Sequence, residues 1–81
     1  MKFELFKRVA RCEDLPQHSL RKDDVATVID YHPASDEDGY GLEVFNAVGD
    51  TIAVLTVAAS QIEPLLPDEV LHVRALEETA R

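Results

Sequence analysis

Three β-branched runs separated by turn-forming residues constrain this chain more than any other feature of its sequence. Residues 25–31 (VATVIDY) read as a strand that stops at His32-Pro33, where proline removes a ladder donor and holds its predecessor extended. Residues 33–39 carry a proline, a serine, three acids and a glycine, and they predict a wide hairpin loop into a second run at residues 40–45 (YGLEVF). Asn46-Ala47-Val48-Gly49-Asp50 predicts another turn, in which Gly49 can take positive φ, before a third run at residues 51–57 (TIAVLTV). The middle of the chain is expected to be an antiparallel meander.

The flanks are less marked. Residues 7–12 (KRVARC) alternate polar and apolar side chains and end at Glu13-Asp14-Leu15-Pro16, which predicts a first strand and a wide loop. Residues 58–62 suit one turn of 3-10 helix before Pro64. Residues 67–76 are ambiguous: Pro67 and two acids could start a helix, while Val70, Leu71 and Val73 favour a strand, the expectation taken here. With 81 residues there is room for one domain. The expected fold is all-β, a small five-stranded SH3-like barrel over residues 1–76 with a 3-10 turn before the last strand, and residues 77–81 fray. Leu15, Leu20, Val25, Val28, Ile29, Leu42, Val44, Ile52, Val54, Leu55, Ile62 and Val70 are the expected core.

Charge is unevenly distributed within a formal total of -8. Lys2, Lys7, Arg8, Arg11, Arg21 and Lys22 make the first 22 residues net positive, whereas no Lys or Arg occurs from Asp23 to Val73. Phosphate contacts need a basic stripe, so no nucleic-acid partner is expected. No apolar run reaches the length of a membrane span, and charge interrupts the first six residues, so a cytoplasmic chain with no membrane partner is expected.

Residues with chemical potential are present without a motif. His18, His32 and His72 lack metal-ligand spacing, and Asp36-Glu37-Asp38-Gly39 lacks the remaining ligands of a calcium loop, so no metal is expected. Cys12 has no base within its segment, and the pair Asp23-Asp24 has no evident cleft, so no catalytic residue, cofactor or enzymatic activity is expected. If the first and last strands pair, Lys7, Arg8 and Arg11 form a basic patch with His72 and Arg74. Acids Asp36, Glu37 and Asp38 and the aromatics Tyr31, Tyr40 and Phe45 are the expected partner-binding residues, because tyrosine offers contact area and a hydroxyl at low entropy cost.

At Phe3-Glu4-Leu5-Phe6, Glu13-Asp14-Leu15-Pro16, Asp24-Val25-Ala26-Thr27-Val28-Ile29, Tyr40-Gly41-Leu42-Glu43-Val44-Phe45, Gly49-Asp50-Thr51 and Glu69-Val70-Leu71-His72-Val73-Arg74, the chain resembles a family of small bacterial proteins catalogued as a domain of unknown function. The resemblance implies an SH3-like barrel whose second strand carries Gly-Asp-Val-Gly-Thr-Val-Val. Asp23 and Ala26 stand at its glycines, so the turn at 23 either avoids positive φ or forces a non-glycine residue into it. Some members are encoded beside toxin-like genes, which implies an antitoxin or immunity-like protein that neutralises a partner by occlusion. An accessory or assembly subunit of a larger bacterial enzyme is the alternative. Monomer and homodimer both remain open.

Overall fold

The computed structural model describes residues 2–76; the fraying expected at 77–81 lies outside them. Strands β1 (Arg8–Arg11), β2 (Val25–His32), β3 (Gly39–Phe45), β4 (Thr51–Ala58) and β5 (Ile62–Pro64) form one antiparallel sheet in the order β4-β3-β2-β1-β5. A 3-10 turn at Ala59–Gln61 precedes β5, as residues 58–62 predict, and another at Pro16–His18 lies in the loop after β1. The described residues contain no α-helix, and no helix long and apolar enough to cross a membrane.

Two expectations are corrected. The sheet does not close into a barrel, because β4 and β5 remain as its two edges. Nor does residues 67–76 supply the last strand: β5 forms earlier, with Arg11 opposite Ile62 and Ala10 opposite Glu63. Pro64 has no N–H with which to continue the ladder, and Pro67 follows three residues later, so the chain leaves the sheet. Val70, assigned to the core by its apolar character, is 91% exposed.

The core gathers Phe3, Val9, Leu20, Ala26, Val28, Tyr40, Leu42, Val44, Val57 and Ile62, with Leu15, Tyr31, Ala53, Leu55 and Ala59 packed against it. On β4 the inward parity is Ala53, Leu55 and Val57, so Ile52 and Val54 face out, contrary to expectation. A strand apolar on both faces does not announce which face is buried. Gly41 permits the tight β2–β3 contact, since a Cβ there would lie 2.8 Å from Asp30 Cβ, where the ladder skips a residue between Val28 and Asp30.

Two further bulges bracket the β1–β2 ribbon with one hydrogen-bond pattern. At one end Phe6 N–H donates to the Val28 carbonyl (2.6 Å) and Val28 N–H to the Lys7 carbonyl (2.9 Å). At the other, Asp23 N–H donates to the Arg11 carbonyl and Arg11 N–H to the Asp24 carbonyl, both 2.8 Å. In each, two residues oppose one and the first is left-handed, Phe6 at φ 65 and Asp23 at φ 75. This is the bulge that normally places glycine first. Of the two alternatives open at residue 23, the chain takes the strained one.

Candidate binding surfaces

The β2–β3 hairpin end brings together most of the expected partner-binding residues. Tyr31 is half-buried and donates its hydroxyl to Asp38 Oδ2 (3.0 Å), while Asp38 Oδ1 accepts from Ala34 N–H (3.3 Å). That hydrogen bond, then burial, then the Asp38 charge push the Tyr31 phenol above its ordinary 10.0. Glu37 Oε2 accepts from Ser60 N–H (3.0 Å) and ties the exposed tip to the turn before β5. Asp36 is exposed and accepts from Glu37 N–H. Phe45, 42% exposed, lies at the other end of β3, about 20 Å away at the rise of a strand.

Tyr40 is not a surface anchor. It is fully buried, its hydroxyl accepts from Lys2 N–H (2.8 Å) and Phe3 N–H (3.2 Å), and its ring meets Phe3 edge-on at 5.3 Å. A tyrosine two residues inside a strand reads as amphipathic; here its polar tip is spent on holding the N-terminal segment to the core.

The basic patch divides three ways. Lys2, Lys7 and Arg8 surround a shallow groove of about 290 Å³ floored by Phe3, Val9 and Pro64, with Glu4 on its rim. Arg11 is 1% exposed, because it shares Val9's parity and turns inward; its Nε, Nη1 and Nη2 find no hydrogen-bond partner among the described residues. His72 is exposed in the segment after β5. Arg74, expected beside β1, instead reaches the loop before β2. Its Nε donates to Asp24 Oδ1 (2.9 Å), and its Nη2 donates to Asp24 Oδ2 and to the Ser19 carbonyl (3.0 Å).

The loop between β1 and β2 builds that corner locally. Leu15 and Leu20 exchange backbone bonds, which pins the 3-10 turn Pro16–His18 and places Ser19 left-handed at φ 57. Asp24 N–H donates to the Arg21 carbonyl (3.0 Å), and Arg21 N–H donates to Asp24 Oδ2 (2.7 Å). Sequence reasoning singled out Asp23 as anomalous, which was the available signal, but did not assign a role to Asp24 or Ser19.

His18 and His72 remain apart, and His32 Nε2 lies 3.4 Å from Asp30 Oδ2. Among the described residues no three His, Cys, Asp or Glu side chains converge as a metal site. Burial first, then the Glu63 carboxylate, push the Cys12 thiol above its ordinary 9.0, with Lys22 and Arg11 opposing.

No curated protein and no solved structure matches this chain. A family profile matches residues 5–64, which hold all five strands, both bulges and the Ser19–Asp24 corner, but not Arg74. The chain belongs to the family described as domain of unknown function DUF4926.

Proposed function

We propose that this domain is a non-catalytic protein-binding module that occludes a basic partner, in the manner of an antitoxin or immunity protein. The observation that carries the reading is the outward display of acid. Asp23, Asp30, Asp36, Glu37, Asp50, Glu63, Asp68 and Glu69 are exposed along a stretch that contains no Lys or Arg. Such a surface steers and selects a positively charged partner, and against a nuclease it would compete with phosphates for the basic groove. An SH3-like reading of the fold belongs with this proposal, supported by the strand order and by the 3-10 turn before β5.

The test is capture of the partner from native lysate by full-length protein and by the D36N/E37Q/D38N variant. Amides keep an acceptor oxygen for Tyr31, Ala34 and Ser60 while removing the charge, so the hairpin should persist. Weaker capture with a flatter salt dependence is expected; unchanged capture rejects the acidic-hairpin reading.

A further inference from the structure

We propose that Arg74 is a cis occupant of a guanidinium-binding notch, and that the domain offers this notch to an arginine in an extended segment of its basic partner. The inference rests on the protein-binding reading above and names what the partner presents.

The notch has three acceptors in a fork: both Asp24 carboxylate oxygens and the Ser19 carbonyl. A planar guanidinium matches that arrangement, whereas an ammonium satisfies it one contact at a time. The backbone beneath is fixed before any arginine arrives. Ser19 supplies its own carbonyl from a left-handed conformation, left-handed Asp23 precedes Asp24, and Arg21 N–H already holds the carboxylate. Strained non-glycine residues persist where the surroundings over-determine them, and here two flank the acceptors.

Receptor and occupant also differ in origin. Ser19 and Asp24 fall inside the family match, and Arg74 falls outside it. Between Pro64 and Arg74 the chain forms no strand, Leu66 and Glu69 bond to each other, and Val70, Leu71 and Val73 stay exposed. Arg74 is thus set in the notch at the end of an extended, apolar, exposed segment, which is the form a partner's strand-like peptide would take. The Asp24 and Arg74 side chains are each only about one-fifth exposed (19% and 22%), so the pair is shielded enough for its loss to matter.

A tethered arginine competes at high effective concentration, so the test opens the notch in the full chain with R74A. The probe is the synthetic peptide EVLHVRAL, beside the same peptide with alanine for arginine. Backbone amide NMR should show R74A binding the arginine peptide with shifts clustered on Ser19, Arg21 and Asp24, and wild type binding at least about tenfold more weakly. R74K, charged but without the fork, should lie between them. D24N/R74A and the alanine peptide should give no binding. Equal binding by wild type and R74A, equal binding of both peptides, or no binding by a folded R74A because Arg11 has captured Asp24, overturns the proposal. The hairpin-charge experiment uses other residues, so a failed notch leaves the acidic-surface reading standing, and a failed hairpin leaves the notch testable.

Discussion

The two bulges at the ends of the β1–β2 ribbon have one backbone pattern and opposite surroundings. At the first, Phe6 is left-handed with its ring 75% exposed, and the residue it opposes, Val28, is fully buried and apolar. At the second, Asp23 is left-handed beside an ion-paired Asp24, and the opposed residue, Arg11, is a buried cation with no partner among the described residues. Hydrogen-bond geometry alone fixes the bulge, and the side chains decide whether it is a plain sheet terminus or a binding corner. The first bulge sits on an ordinary core. The second holds charge out of water on both strands, which is costly unless that charge is needed.

The comparison breaks most strongly at Asp24. D24A strands Arg74 and frees Arg21 N–H, and a loss of about 2–3 kcal/mol in urea unfolding is expected, below the full cost for a buried pair because both side chains keep some solvent. Making the second bulge resemble the first should act the other way. R11M removes an unsatisfied buried guanidinium and is expected to stabilise by about 1–2 kcal/mol in the same measurement, whereas a cost would mean that Arg11 has a partner. Relief of backbone strain comes next: F6G should stabilise by about 1 kcal/mol, and D23G by only a few tenths, because Asp tolerates the left-handed region better than Phe.

The smallest effect is on pH. Cys12 and Tyr31 both have folded values raised above 9.0 and 10.0, so the native state holds their protons more tightly than the unfolded chain. Their contribution is complete below those ordinary values and is lost as pH rises through them toward the folded values. Stability should decline above about pH 9, and the C12S and Y31F variants should each flatten part of that decline.

Much of the sheet is legible because β-branched density and Pro33 mark β2, and the turns at 33–39 and 46–50 bound β3 and β4. The last strand is not legible: β5 has three residues and ends in proline, too short for alternation to register, while Val70, Leu71 and Val73 imitate a strand with no free edge of β1 to join. The polarity of the surface follows from composition. The notch does not, since Arg74 meets Asp24 across fifty residues of sequence and only the turn chemistry at Ser19 and Asp23 prepares its acceptors. Tyr40 and Arg11 show the same limit, because a polar tip on a strand residue reads as exposed until the neighbouring parity is known.

The most direct measurement is the affinity of the captured partner for wild type, D24N and D36N/E37Q/D38N over a range of salt concentrations. Binding through acidic display predicts affinity that falls steeply with salt for wild type, less steeply for the hairpin variant, and is lower for D24N at every concentration. An affinity that ignores salt and is the same for all three proteins would contradict the account.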